Sequence, residues 1–265
     1  MTIEPAVMPA AMPAAMKVRG VSKTYRDGSR TVKALEGADV DIPDGNFVSI
    51  VGPSACGKST LLNLFCGLDK PDSGSIEAPV LGNGDLLGRI GYMPQQDTLM
   101  PWRNVTDNAT VGLECLGCGR EDARRRAREH MDRFGLSGFE LSYPGQLSGG
   151  MRQRVAMLRT FLCGRKINLL DEPFGKLDAI TRASMQSWLL DYWQDNRCTI
   201  VFVTHDIDEA LFLSDVVHLM CPRPGRITLS LEVDIPRPRK YEDVVTSAQF
   251  NGLKATLLQS LGRDG

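Results

Sequence analysis

The most informative segment of the chain is Phe47-Val-Ser-Ile-Val51-Gly52-Pro-Ser-Ala-Cys-Gly57-Lys58-Ser59. It opens with the short apolar run of a buried strand and continues as G-x-x-x-x-G-K-[ST]. A helix is predicted to follow, from Lys58 to about Cys66. This arrangement binds phosphate, because successive backbone amides wrap the anion and the helix N-terminus adds the positive end of a dipole. The stretch therefore predicts a nucleotide-binding α/β protein.

Each residue of this loop has an expected part in nucleotide binding. The set is Gly52, Pro53, Ser54, Ala55, Cys56, Gly57, Lys58, Ser59 and Thr60. Lys58 should neutralise the β- and γ-phosphate oxygens, and the hydroxyl of Ser59 should be a ligand of Mg²⁺. Ala55 stands where many such loops carry a third glycine. Because alanine is penalised at positive φ, either φ is negative there or the loop stores some strain.

Composition excludes several classes of protein. The chain has 265 residues, 42% hydrophobic and 24% charged, with 31 basic and 32 acidic side chains. Such a chain is not dominated by disorder, and its balanced charge argues against a dedicated nucleic-acid binder. Its apolar runs are too short for a membrane span. Seven cysteines without a regular framework suit a reducing cytosol.

Strand and helix patterns alternate along most of the chain. Antiparallel strands are expected early, over Lys17–Val21 and Val32–Ile42, and a further strand over Arg89–Met93. The later predicted elements are strands Ile167–Leu170, Thr199–Val203 and Val216–Met220, and helices Arg182–Gln194, Ile207–Leu213 and Phe250–Leu261. Strands alternating with helices imply a mainly parallel sheet with helices on both faces.

Three segments stand apart from this alternation. Residues 1–16, rich in Pro, Ala and Met, are predicted to be a disordered tail. Residues about 96–165 are predicted to be a helical insertion, with a charge-dense helix over Arg120–Phe134. Its arginine run is typical of a solvated helix face more than of a nucleic-acid site. Residues 236–265 are predicted to form a C-terminal tail.

Two adjacent carboxylates end the strand Ile167–Leu170. If this strand tip points at the phosphate loop, Asp171 can lie in the hydration shell of Mg²⁺. Glu172 can then accept a proton from the attacking water. Two acids at a strand end also occur by chance, so this pair alone is moderate support for hydrolysis.

The motif Leu147-Ser148-Gly149-Gly150-Met151 lies between the phosphate loop and the two acids. In this order, the motifs resemble those of the ATP-binding subunits of ABC transporters. The resemblance implies that this signature binds the γ-phosphate held by the opposite subunit, through Ser148, the glycine amides and the helix dipole. It also implies a P-loop NTPase fold: a RecA-like, mainly parallel sheet with an N-terminal antiparallel β subdomain and an inserted α-helical signature subdomain.

Further residues match the family one by one. Gln95 resembles the glutamine of the loop that contacts Mg²⁺ and positions water. Leu177-Asp178 resembles the loop that crosses the dimer interface. His205 resembles the switch histidine that contacts the γ-phosphate, and Tyr25 resembles the aromatic residue that stacks on adenine.

The resemblance covers about residues 17–235 and extends to one group of importers. Leu99-Met-Pro-Trp102-Arg-Asn-Val105 resembles the importer class, and Ile235-Pro-Arg-Pro-Arg239 resembles the nitrate/sulfonate/taurine/bicarbonate group of importers. This implies an ATPase that uses ATP and Mg²⁺, pairs as a homodimer, and energises uptake of a small anionic solute. Its partners would be a separate membrane permease and a solute-binding protein, with no nucleic acid. Its place would be peripheral, on the cytoplasmic face of the inner membrane.

Some positions depart from the family pattern, and some alternatives stay open. Gly145 replaces a common histidine, Lys176 replaces a small residue before Leu-Asp, and Asn168 is polar within an apolar strand. Lys176 could add a charge contact or slow closure. The alternatives are a non-transport ABC ATPase, an importer for another solute class, and a nucleotide-gated module without turnover. Glu172 and His205 argue against the last.

Overall fold

The computed structural model describes residues 13–28 and 30–263. The strands are β1 (Ala14–Asp27), β2 (Arg30–Pro43), β3 (Phe47–Val51), β4 (Ser73–Glu77), β5 (Gly91–Met93), β6 (Ile167–Asp171), β7 (Thr199–Thr204), β8 (Val216–Met220) and β9 (Ile227–Glu232). The helices are α1 (Lys58–Phe65), α2 (Val105–Ala109), α3 (Val111–Cys115), α4 (Arg120–His130), α5 (Gly149–Leu162), α6 (Ala179–Asn196), α7 (Ile207–Leu213), α8 (Tyr241–Val245) and α9 (Ala248–Arg263).

The described chain divides into two compact units, one made of the residues up to Arg89 and from Arg197 onward. In this first unit, an antiparallel sheet has the order β2-β1-β4. A second set of strands has the order β7-β3-β8-β9, in which β3 is parallel to β7 and β8, and β9 is antiparallel to β8. Every residue of β3, β7 and β8 is buried, as expected for parallel strands covered on both faces.

The second unit is Ile90–Asn196. Its two strands, β5 and β6, are parallel, and helices α2 to α5 lie between them in the sequence. Helix α5 packs against α2, α3 and α4. Aromatic rings of Phe134, Phe161, Trp188 and Tyr192 contact one another and join α5 to α6. The limits of about 96–165 for a helical subdomain stay a prediction.

The predicted disordered tail is wrong at its C-terminal end. Strand β1 begins at Ala14, and the side chains of Ala15 and Met16 are fully buried. The backbone N–H of Asp44 donates to the carbonyl of Pro13 at 2.8 Å. Pro, Ala and Met residues offered no strand pattern in the sequence, yet Ala14 and Met16 pair with Pro43 and Ile42 of β2. Residues 1–12 of the predicted tail lie outside the described residues.

The predicted C-terminal tail is packed onto the first unit. Helix α9 contacts α7, and it buries Phe250 and Leu257 almost completely. Helix α8 and strands β4 and β9 were not predicted from the sequence, although β9 alternates half-buried and exposed residues with a period of two. None of the helices in the described part of the chain has the length and apolar character that a bilayer span requires.

Candidate active site

The phosphate loop leaves the buried strand β3 and enters α1 at Lys58. Gly57 is the N-cap of α1 and has a φ of 110°, which only glycine adopts readily. A Cβ at Gly52 would lie 2.5 Å from the carbonyl oxygen of Met220, and one at Gly57 would lie 2.8 Å from that of Ala34. Both glycines are therefore required by close backbone approach as well as by the loop's path.

Lys58 is buried, and its ammonium donates hydrogen bonds to two carbonyls of the loop. The Nζ atom lies 2.8 Å from the Gly52 oxygen and 2.9 Å from the Pro53 oxygen. Cys56 is also buried within the loop, and burial raises the pKa of its thiol. The loop thus places a cation at the N-terminus of α1, and both the charge and the helix dipole favour binding of an anionic phosphate.

The structure decides between the two expectations for Ala55, because its φ is 64°. An alanine in the left-handed region costs of the order of 1 kcal/mol. The carbonyl of Ala55 accepts a 2.6 Å hydrogen bond from Nε of Arg223. This hydrogen bond from outside the loop stabilises the strained residue, and no sequence pattern connects the two residues.

Tyr25 lies on β1 and is 40% exposed. Its hydroxyl donates to Oδ2 of Asp69 at 2.9 Å, and the ammonium of Lys23 lies 5.4 Å from the ring centroid. These contacts fix the ring while leaving part of it open to solvent. Stacking of adenine on Tyr25 stays a prediction.

The structure brings Gln95 and Glu172 together. Strand β6 is buried throughout, and Asp171 at its end is only 3% exposed. Glu172 follows with a φ of 48°, a turn of the backbone that non-glycine residues rarely adopt. Nε2 of Gln95 donates to Oε2 of Glu172 at 3.0 Å. The carboxylate predicted to act as a base is therefore oriented by the amide predicted to position water.

His205 lies between a buried strand and a short helix. It follows β7 directly, and Asp206 is the N-cap of α7, accepting hydrogen bonds from the amides of Asp208 and Glu209. The hydroxyl of Thr204 donates to the Glu209 carboxylate at 2.6 Å. The residues on both sides of His205 are thus fixed by local hydrogen bonds.

The signature motif forms the N-terminus of α5. Ser148 is the N-cap, and its Oγ accepts from the amide of Met151 at 3.2 Å. Gly149 and Gly150 are the first helical residues, so their amide groups lie in the first turn, where backbone donors have no intrahelical acceptor. A Cβ at Gly150 would lie 3.1 Å from Cδ2 of Leu177, so the start of α5 and the predicted interface loop are closely packed.

The interface loop is itself capped. Oδ1 of Asp178 accepts from the amide of Thr181 at 3.0 Å, and hydrogen bonds from Thr181 lower the pKa of that carboxyl. Leu147, at the other end of the signature, is buried. Leu177 is buried as well, which leaves Asp178 as the exposed member of the pair.

Sequence reasoning missed a cluster of charges beside Gln95. The carboxylate of Asp97 lies 3.2 Å from Nε of Arg152 and 3.8 Å from Nζ of Lys176. Arg159 lies two turns after Arg152 on α5 and donates to the carbonyls of Asp97 and Thr98. Arg152 and Arg159 are seven residues apart and so share a helix face, which was the signal available in the sequence.

The departures from the family pattern have local explanations. Lys176 makes a charge contact with Asp97 of the same unit. The side-chain amide of Asn168 donates to the carbonyl of Arg165. A Cβ at Gly91 would lie 2.4 Å from Oδ1 of Asn168. Asn168 thus fits within β6 because its neighbour on β5 is a glycine. Nothing in the structure explains Gly145.

Comparison with known proteins identifies what this arrangement resembles. A family model described as ABC transporter matches residues 35–175. An uncharacterised ABC transporter ATP-binding protein of Methanocaldococcus jannaschii is 41% identical over 93% of this chain and 94% of its own. An aliphatic sulfonates import ATP-binding protein of Bacillus cereus is 39% identical over 94% of this chain and 97% of its own.

Solved structures agree with these relatives. A dimeric ATP-binding cassette in a post-hydrolysis state, bound to ADP and phosphate, has a TM-score of 0.75 and is 31% identical, covering 83% of this chain and all of its own. The structure of cbiO1 from Clostridium perfringens, described as part of the ABC transporter complex cbiONQ, has a TM-score of 0.70 at 25% identity, over 94% of this chain and 98% of its own.

Proposed function

The chain belongs to the ABC transporter family, and we propose that it is the ATP-hydrolysing subunit of an importer for a small anionic solute. It has the P-loop NTPase fold and is an ATPase coupled to transport. A separate permease carries the solute, and a solute-binding protein delivers it. The chain lies on the cytoplasmic face of the inner membrane, bound through that permease.

The proposed site is composite, with each ATP lying between the phosphate loop of one copy and the signature of the other. Lys58 and the loop amides bind the phosphates, and Ser148 with the first amides of α5 binds the γ-phosphate from the opposite side. Glu172 accepts a proton from the attacking water, and Gln95 keeps its carboxylate oriented. His205 contacts the γ-phosphate. Such a site works mainly by positioning and charge stabilisation.

The residues fit Mg²⁺ by their donor chemistry. Mg²⁺ prefers oxygen ligands, and Ser59, Gln95 and Asp171 supply a hydroxyl, a carboxamide oxygen and a carboxylate. Bound Mg²⁺ would neutralise charge on the phosphate oxygens. Asp171 is held at the end of a fully buried strand, so its position is fixed before any nucleotide binds.

An exposed apolar patch carries the proposal of attachment to a permease. The segment 139–143 is hydrogen-bonded to the start of α2, through the amide of Val105 and the carbonyl of Ser142 at 2.9 Å. Around this junction, Trp102 is 73% exposed and Leu141 is 75% exposed. Large apolar side chains grouped on a surface indicate a binding site for another protein. We call the group Trp102, Phe139, Leu141 and Tyr143 the apolar patch.

The proposed solute class is supported by similarity alone. The Bacillus cereus relative is an aliphatic sulfonates import protein, and a second such protein, from Bacillus thuringiensis, is 37% identical over 94% of this chain. A sulfonate is a small anion, in keeping with the importer group that the sequence resembles. Selection of the solute falls to the permease and the solute-binding protein.

Co-expression with the permease encoded beside this chain tests the proposal. The wild-type chain should move to the membrane fraction and be released only with detergent. A charge in the apolar patch, Leu141→Asp, should leave it in the soluble fraction while ATP binding is kept. The matched control is Leu68→Asp, because Leu68 is 60% exposed and lies outside the patch.

Two results would count against the proposal. If the chain never reaches the membrane with that permease, the importer assignment is wrong and a non-transport ATPase takes its place. If Leu68→Asp releases the chain as fully as Leu141→Asp, the patch is not the attachment site. Uptake of radiolabelled taurine, sulfonate or nitrate by whole cells then separates an anion importer from one for another solute class.

A further inference from the structure

Helix α7, which directly follows His205, is held at both ends by the C-terminal segment, residues 233–263. The helix has only seven residues. A helix this short is not stable alone, so its position depends on what it contacts. The contacts come from a part of the chain in which the sequence predicted a tail.

The C-terminal end of α7 is bound by a buried arginine. Arg239 is 8% exposed, and its guanidinium donates to the carbonyls of Leu211 at 3.2 Å, Phe212 at 3.0 Å and Ser214 at 2.7 Å. It also donates to the carbonyls of Val233 and Ile235. The last carbonyls of a helix lack intrahelical donors and carry partial negative charge, so a cation here satisfies both needs.

A second arginine of the same Pro-Arg-Pro-Arg run extends this contact. Arg237 donates to the carbonyl of Leu213 at 2.7 Å and to Oδ1 of Asp215 at 2.8 Å. Burial lowers the pKa of Arg239 to about 10, so its guanidinium stays charged at neutral pH. Together the two arginines close the end of α7 opposite to His205.

The N-terminal end of α7 is bound from α9. Nζ of Lys254 lies 2.6 Å from Oδ1 of Asp208, in the first turn of the helix. The adjacent N-cap, Asp206, is the residue that follows His205. Lys254 therefore contacts the first turn of α7, which begins two residues after His205.

We propose that Arg239 and Lys254 are positioning residues for hydrolysis, which hold α7 in one place and thereby fix His205 against the γ-phosphate. The inference rests on the proposed role of His205. It gives the C-terminal segment a function in the reaction, exerted through its contacts with α7. Since β7 is fixed by its sheet, α7 is the element whose movement would displace the histidine.

The test compares Lys254→Met with Lys240→Met in the full chain bound to its permease. Lys240 is an exposed lysine of the same segment and serves as the matched control. Because the Lys254–Asp208 pair is about one third exposed and solvent screens it, Lys254→Met should lower kcat about two- to fivefold and leave KM for ATP unchanged. Hydrogen exchange of the peptide 205–213 should become faster, with the phosphate-loop peptide unaffected.

Two further variants keep the test decisive. Lys254→Arg retains the charge contact and should restore kcat. Arg239→Lys retains the charge but loses the fork geometry, and it should again speed exchange in 205–213. If Lys254→Met raises KM with kcat unchanged, or if exchange in 205–213 does not change, the inference is overturned.

A parallel His205→Ala variant separates this inference from the proposed function. If His205→Ala keeps the wild-type kcat, the role of His205 fails and the inference fails with it. If His205→Ala lowers kcat but Lys254→Met does not, the inference alone fails. Loss of kcat in both, with KM kept and faster exchange in 205–213, supports it.

Discussion

At the scale of single residues, Glu172 is the side chain on which hydrolysis most depends. Glu172→Gln keeps the shape and can keep a hydrogen bond with Gln95, but an amide cannot take a proton from water. We expect kcat to fall roughly 10²- to 10⁴-fold, the contribution of a general base. ATP should still bind, and an ATP-bound dimer should accumulate on size exclusion.

The matched control for this substitution is Glu121→Gln, an exposed carboxylate of α4. It should hydrolyse ATP at the wild-type rate in the permease-bound complex. If Glu172→Gln hydrolyses ATP at a rate close to that of the control, Glu172 is not the general base.

His218 allows a residue-scale prediction about pH. It is buried on β8, with Nδ1 at 2.8 Å from Oγ of Ser230, and burial lowers its pKa from 6.5 to about 4, against a smaller opposing effect of Asp41. Between these two pH values the unfolded chain binds a proton that the folded chain does not. The free energy of unfolding should therefore fall as pH drops from 6.5 to 4, by at most about 3 kcal/mol.

The measurement is chemical denaturation at several pH values. His218→Leu should remove this part of the pH dependence, since the leucine fits a buried strand and Ser230 is exposed to water. Ser230→Ala retains the imidazole and should keep the wild-type dependence of the free energy of unfolding on pH. If His218→Leu also keeps that dependence, other groups cause it.

At the scale of elements, Asp97 links the glutamine loop to α5 and to the segment before the interface loop. Arg152 lies closer to Asp97 than Lys176 does, and Lys176 is 45% exposed, so solvent screens its contact. We expect Lys176→Ala to change the free energy of unfolding by less than about 0.5 kcal/mol. Asp97→Asn should cost more, because it weakens both contacts.

Double-mutant cycles measured by chemical denaturation test this ranking of the two contacts. The coupling free energy of Asp97 with Arg152 should exceed that with Lys176. Lys166 is an exposed lysine, and Lys166→Ala should show no coupling with Asp97. Equal coupling at the two cations would contradict the ranking. A large effect of Lys176→Ala on kcat with no effect on stability would point instead to closure of the dimer.

The elements also show which features a sequence can predict. The bounds of α7 and β8 agree with the prediction residue for residue, and the strand and helix predicted on either side of residues 52–57 are confirmed, because these elements follow local sequence patterns. The contacts of Arg239 with α7 were missed, since they join residues 25 to 28 positions apart that no spacing rule connects. The start of β1 was missed because it is held by pairing with Ile42 and Pro43, which lie 26 to 29 positions further along the chain.

At the scale of the whole molecule, the proposed site requires two copies of the chain. The signature residues form a helix N-terminus with Ser148 as its N-cap, which suits binding of a phosphate from outside the subunit. In a symmetric dimer, each copy gives its phosphate loop to one site and its signature to the other. Two inactive variants, each damaged in a different half, should then complement each other.

The variants are Lys58→Ala, which removes the phosphate-binding ammonium, and Ser148→Arg, which blocks the signature. Each homodimer has no intact site and should be inactive. In the mixed dimer, the phosphate loop of the Ser148→Arg copy meets the signature of the Lys58→Ala copy, so one of two sites is whole. Random mixing should recover about a quarter of wild-type turnover if the sites act independently.

A mixture as inactive as its parents would mean either that both sites must be intact in one dimer or that the site lies within one subunit. A covalently linked pair with both substitutions in the same half separates these cases, because it retains no intact composite site but one undamaged subunit, and it should hydrolyse ATP only if the site lies within one subunit.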